Sequence, residues 1–195
     1  GFETPTPLPF DRVNPSNNSL AQYVDHYLTL PSELTASLQQ FAREQQLTLN
    51  TLAQAAWALV LHRHSGQDDI VFGATVAGRP TELPGVEELV GLCINTLPVR
   101  VRFTPDMMLL PWLHQIQNEQ IAARQYEHSP LVHVQRWSAV EPGQPLFQSL
   151  LSFENYPGGA FALDTGLDTL HISHPRAIER VSYPLNLSVT LGSEL

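Results

Sequence analysis

The sequence holds a single cysteine, Cys93, so no internal disulfide can form, and no Cys/His cluster has zinc-site spacing. Cys93 sits in Gly91-Leu92-Cys93-Ile94-Asn95, an apolar setting that points to a small buried side chain rather than a nucleophile. Positive charge is scarce: 10 Lys and Arg stand against 19 Asp and Glu, a formal net charge of −9. That balance argues against a nucleic-acid partner or an anionic membrane surface, both of which need a basic face. The acidic residues are scattered, as on a solvated surface. Long apolar runs are missing too. Ala55–Leu61 is fully apolar but far short of the roughly 20 residues that span a bilayer. There is no signal-peptide pattern, no phosphate loop and no Gly-x-Ser-x-Gly elbow. A cytoplasmic location is the expectation.

What is present is a chain of 195 residues, 43% of them hydrophobic, enough for one domain with a real core. It begins with Gly1 and stops after Gly192-Ser193-Glu194-Leu195 with no cap or charged tail, which reads as a piece of something longer. Prolines at 5, 7, 9 and 15 and the polar run Asn14–Ser19 make residues 1–20 a linker, leaving 21–195 as the domain.

Tyr23–Leu30 alternates loosely and reads as a strand. A helix follows with Ser32 as N-cap and Leu34, Leu38, Phe41 and Ala42 on one face. A second helix spans Asn50 to Ser65 and stops at Gly66. It is apolar almost all round through its middle, which predicts a central position. Ile70–Val76 is a short apolar run typical of a buried strand. Glu82–Glu88 reads as a polar loop, and Cys93–Phe103 as a second strand in which Pro98 marks an edge, a bulge or an end. Leu109–Arg124 is a long helix with Pro111 near its start. Ser149–Glu154, Leu170–His174 and Leu185–Thr190 complete the strands. The mixture predicts an α/β fold: a mixed sheet with helices packed mainly on one face.

Several segments, in order, resemble the condensation domains of nonribosomal peptide synthetases. They are Gln54–Arg63 with Ser65–Asp69 and Val71-Phe72-Gly73, then Gly78-Arg79-Pro80 with Glu82–Glu87, then Val90–Pro98. Tyr126–Leu131 and Leu146–Pro157 follow. Val90–Pro98 matches a Gly-x-Phe-Val-Asn-Thr type of motif but carries Cys93 where an aromatic is usual. The resemblance implies one lobe, the C-terminal one, of a two-lobed chloramphenicol acetyltransferase-like fold. Its active site lies in a tunnel between the lobes. Peptidyl carrier proteins deliver donor acyl and acceptor aminoacyl chains on phosphopantetheine arms, and the acceptor amine attacks the donor thioester. The implied partners are therefore the N-terminal lobe, carrier proteins and an adjacent adenylation domain. The family's His-His-x-x-x-Asp-Gly motif, which supplies the base or positions the amine, belongs to the N-terminal lobe.

That motif has no intact copy in this sequence. The nearest match, His64-Ser65-Gly66-Gln67-Asp68, has Arg63 in place of the first histidine and sits at a helix end, where a solvated turn is expected rather than a base within about 3 Å of a buried amine. No residue is therefore assigned a catalytic role. His171 and His174, three apart on a strand, point to opposite faces and form no metal pair; His62 and His64 likewise face apart on their helix. Asn95 and Thr96 are candidate tunnel residues, or else satisfy backbone groups at a strand bend. Ser149 lines the channel or is a packed hydroxyl. Asn155-Tyr156-Pro157 shapes a turn, and Arg79 is a surface charge or else a crossover contact. Three functions compete: half of an amide-forming acyltransferase, a non-catalytic module that recruits a carrier protein or tailoring enzyme, and a sister epimerisation or cyclisation domain.

Overall fold

The computed structural model describes residues 2–9, 23–79, 84–154 and 182–191. In chain order the elements are α1 (Ser32–Glu44), α2 (Leu49–Ser65), β1 (Asp69–Val76), β2 (Asn95–Arg102), α3 (Leu109–Arg124), α4 (Leu131–Trp137), β3 (Ser149–Glu154) and β4 (Leu185–Thr190). A short 3-10 turn, Val86–Glu88, lies between β1 and β2. The sheet has the order β2-β1-β3-β4. β1 and β2 are antiparallel from Asp69↔Arg102 to Val76↔Asn95, while β1–β3 and β3–β4 are parallel. The mixed sheet follows from the connections. A crossover carrying α3 and α4 brings β3 back parallel to β1, which a short turn could not do.

α2 owes its position to both of its ends. Thr48 caps it, its hydroxyl accepting from the Thr51 amide at 3.0 Å. Gly66 ends it in the left-handed conformation (φ 69°), its N–H donating to the His62 carbonyl. Three residues later β1 begins. Five consecutive residues of β1, Ile70 to Ala74, are buried, because both faces of this central strand are covered. Ile70 and Phe72 face α2 and α3, joining Ala55, Ala58 and Leu61 of α2 and Trp112, Leu113 and Ile116 of α3. Val71 faces the other way, into a smaller cluster with Val140, Leu146 and Phe147, against which Leu131 and Val134 of α4 pack. Helices therefore lie mainly on one face, with the short α4 on the other. Pro98 is tolerated because β2 is an edge strand, with no second ladder to supply among the described residues.

The seam between α2 and α3 is polar. Gln117 accepts from the Thr48 amide (2.9 Å) and donates to the Gln46 carbonyl (2.7 Å), and Gln120 donates to Gln54 Oε1 (2.9 Å). Thr51, fully buried, lies between the two glutamines. Such a network fixes the register of two helices more sharply than apolar contact would.

Several expectations are corrected. Tyr23–Leu30 forms no strand; Tyr27 and Leu28 are exposed. Ser32 is the first helical residue of α1, and the cap position falls to Pro31, which makes no side-chain cap bond. α2 is central as expected, contacting α1, α3 and the sheet, although it turns Ala56, Leu59 and Val60 outward. α4 has no counterpart among the expected elements. Cys93 is half-buried rather than buried. Residues 2–9, read as part of a linker, carry no helix or strand but lie against the core: Thr6 is buried and its hydroxyl accepts from the Val71 amide at 2.6 Å. The expected strand Leu170–His174, with the histidine pair 171/174, lies outside the described residues, as does Asn155–Pro157.

Candidate functional site

β1 and β2 are joined by a long excursion whose two ends are held together. Gly78 has φ 61°, and a Cβ there would collide with the Cys93 carbonyl, so the chain leaving β1 and the chain entering β2 pass backbone against backbone. Arg79 is exposed, but it is more than a free surface charge: its Nη2 donates to the Leu89 carbonyl at 3.0 Å and holds the excursion from the other side. Between these fixed points the excursion turns apolar side chains to solvent. Val90 is 98% exposed, Leu92 94% and Ile94 61%.

Asn95 follows directly as the first residue of β2. Alternation along the strand puts it on the face that Val99 and Val101 turn toward the helices. It there meets the connector between α3 and α4. Its Nδ2 donates to two backbone carbonyls, those of Glu127 and Ser129, both at 2.8 Å. Thr96 points to the opposite face, paired in register with Thr75. Ser149 opens β3, one residue before the Gly73↔Leu150 pair, and is only 2% exposed. Sequence reasoning grouped these three residues. The structure puts Asn95 and Thr96 side by side at the end of β1 marked by Val76, on opposite faces, and leaves Ser149 buried further down the sheet. None of the three carries a group that titrates near neutral pH, so none can act as a general base.

His64 lies exposed in the last turn of α2, followed by the Gly66 stop. This helix end leads into Asp69, whereas Asn95 pairs with Val76 at the other end of β1. The seven-residue rise of the strand separates the two ends by about 23 Å. His62, on the same turn, is engaged structurally. Its Nδ1 lies 2.7 Å from the Gln67 carbonyl and its ring stacks on Phe103 at 4.2 Å.

Asp69 receives a bidentate pair of hydrogen bonds from Arg100, 2.8 and 2.6 Å, which holds its carboxyl below the usual carboxylate range. Burial pushes the Tyr183 hydroxyl up. Its ring packs on Phe147 beside a cavity of about 90 Å³ lined by Leu131, Gln135, Pro145 and Leu146. A second cavity of about 110 Å³ lies between β2 and α3. Both are well short of the roughly 300 Å³ at which small-molecule pockets begin. Among the described residues no group of three or more His, Cys, Asp or Glu could hold a metal ion, and no helix is long and apolar enough to cross a membrane.

A four-stranded mixed sheet in the order β2-β1-β3-β4 with helices mainly on one face defines an α/β domain of the chloramphenicol acetyltransferase-like kind. The solved first condensation domain of the calcium-dependent antibiotic synthetase, in complex with a substrate analogue, has this fold: TM-score 0.58 at 20% identity, over 68% of this chain and 28% of that one. The condensation-domain family matches residues 1–195, and the chain belongs to that family. It is 48% identical over its whole length to one component of the linear gramicidin synthase of Brevibacillus parabrevis, covering 4% of that protein. It is 39% identical over 98% of its length to chondramide synthase cmdD of Chondromyces crocatus, covering 5% of it. The chain thus spans only a small part of the curated relatives it matches.

Proposed function

We propose that this chain is the C-terminal lobe of a condensation domain in a nonribosomal peptide synthetase, and that it forms one wall of the channel in which an amide bond is made. A donor acyl group and an acceptor aminoacyl group, each a thioester on the phosphopantetheine arm of a carrier protein, enter from opposite sides. The acceptor amine attacks the donor carbonyl. The donor thiolate leaves, and the amine proton passes to a base on the N-terminal lobe. The partners of this chain are accordingly that lobe, the carrier proteins and an adjacent adenylation domain. Asn95 and Thr96 belong to the channel end of the sheet; Ser149 supports its wall from within.

The observation that carries this reading is the exposed apolar run beside Asn95. Val90, Leu92 and Ile94 stand in solvent on a segment pinned by Gly78 and Arg79, an arrangement that leaves ordered apolar surface uncovered. Patches of this kind mark surfaces that another body covers. The small cavities and the lack of a base among the candidate residues favour a shared channel over a site enclosed by this chain. The relatives are synthases of linear gramicidin and chondramide, which favours peptide assembly.

Sedimentation of the chain alone, and with a separately made N-terminal lobe, tests the interface. Weak self-association that gives way to a one-to-one complex is expected. A chain that stays strictly monomeric at high concentration and ignores the added lobe would refute it.

A further inference from the structure

We infer that Asn95 is a positioning residue: it works by fixing the connector between α3 and α4, not by touching the substrate. The inference rests on the channel reading above and assigns a role within it.

Both hydrogens of the amide are committed to the connector. A carboxamide carries two hydrogens on one nitrogen, and the two contacts of Nδ2, to the Glu127 and Ser129 carbonyls at 2.8 Å each, use both. Those carbonyls lie on a connector that is a series of turns. The Tyr126 amide donates to Ala123, Glu127 to Arg124 and Ser129 to Tyr126, at 2.9, 3.0 and 2.8 Å. Pro130 then offers no N–H, and α4 starts after it. Internal turn bonds shape such a segment without saying where it lies relative to the sheet. The two bonds from Asn95 supply that placement across 32 and 34 residues of chain. Ser129 is buried at the contact, while Tyr126 on the same connector is exposed. Asn95, the residue that follows the apolar run Val90–Ile94, thus anchors the connector that carries the exposed Tyr126.

No other residue type of this size does the same. Aspartate would turn two acceptor oxygens on two carbonyls; serine and threonine offer one hydrogen for two acceptors; alanine offers none.

The test is kinetic and is made in the complete condensation domain, with loaded carrier proteins as substrates. Asn95→Ala is expected to raise the apparent KM for loaded carrier by about five- to tenfold while kcat stays within about twofold, the pattern of lost binding rather than lost transition-state contact. Tyr126→Ala should raise KM comparably, and adding Asn95→Ala to it should change KM by less than about twofold, because the two act through one connector. Asn95→Asp should be no better than Asn95→Ala. Fully multiplicative effects of the two substitutions would overturn the positioning role, since Asn95 would then act independently of the connector. A lowered melting temperature for Asn95→Ala with unchanged KM and kcat would also overturn it, while a KM effect of Tyr126→Ala alone would leave the channel reading standing. No kinetic effect from either substitution would reject the channel reading itself.

Discussion

Gly73 is the position where one methyl group does most harm. It sits in the middle of β1, opposite Pro98 and beside Leu150, and it is not among the positive-φ glycines, so its requirement is space rather than backbone freedom. A Cβ there would stand 2.7 Å from Cζ and 2.9 Å from Cδ2 of Phe147, and closer still to Cε2. Relaxed carbon–carbon contacts lie near ~3.5–4.0 Å. The ring cannot swing aside freely: Phe147 is 1% exposed, packed among Val71, Val140 and Leu146, with Tyr183 on one side at 5.1 Å. Overpacking of this kind costs about 1–3 kcal/mol. Restricting the unfolded chain returns about 0.4–1 kcal/mol. The net expectation for Gly73→Ala is a loss of about 1–2 kcal/mol, or roughly 3–6 °C in Tm for a chain of this size. Urea unfolding followed by fluorescence measures it directly. Phe147→Leu alone should destabilise by leaving space unfilled, but the double substitution should cost at least ~0.5 kcal/mol less than the sum of the singles, because the shorter side chain admits the methyl. A Gly73→Ala chain within ~0.3 kcal/mol of the parent, or strictly additive singles, would refute the packing argument.

The Asp69–Arg100 pair should make a small, pH-dependent contribution. Because the Arg100 hydrogen bonds depress the folded-state pKa of Asp69, its stabilisation is present above the unfolded value and is lost as pH falls through the lower folded value. The pair is partly exposed, so the difference between the parent and Asp69→Asn should be only ~0.5 kcal/mol at pH 6 and should shrink toward zero near pH 2; a difference constant with pH would reject the assignment. His64→Ala in the complete domain should slow amide formation by far less than the ~10²-fold expected for a lost general base. A loss of that size with folding intact would mean that the helix-end turn is catalytic after all.

The elements that local chemistry decides were legible in the sequence. α2 runs to a glycine stop, α3 has Pro111 in its first turn, and β1 is an unbroken apolar run; each stands within a residue or so of its expected bounds. The misreadings fall where packing decides. α4 is seven residues long with no capping side chain, and it packs through Leu131 and Val134 on the cluster beneath, with Gln135 donating to the Gln144 carbonyl. Tyr23–Leu30 has the alternation of a strand but no ladder in the described sheet, and alternation alone cannot supply a partner. Thr6 lies among prolines that read as linker, and its bond to Val71 bridges 65 residues. The site was half legible. Asn95 and Tyr126–Leu131 both belonged to segments of the resemblance, yet nothing in either segment announces that one side chain binds the other's backbone. Non-local hydrogen bonds leave no period and no spacing to read.

The central claim, that this chain builds a channel wall and leaves the base to another lobe, is tested most directly by amide formation itself. Donor- and acceptor-loaded carrier proteins would be mixed with the chain alone, with the N-terminal lobe alone and with both, and the condensed product on the acceptor carrier measured by mass spectrometry. The account predicts product at the no-protein background for either lobe alone and clear turnover when the two are combined. Turnover well above background from this chain alone would contradict it.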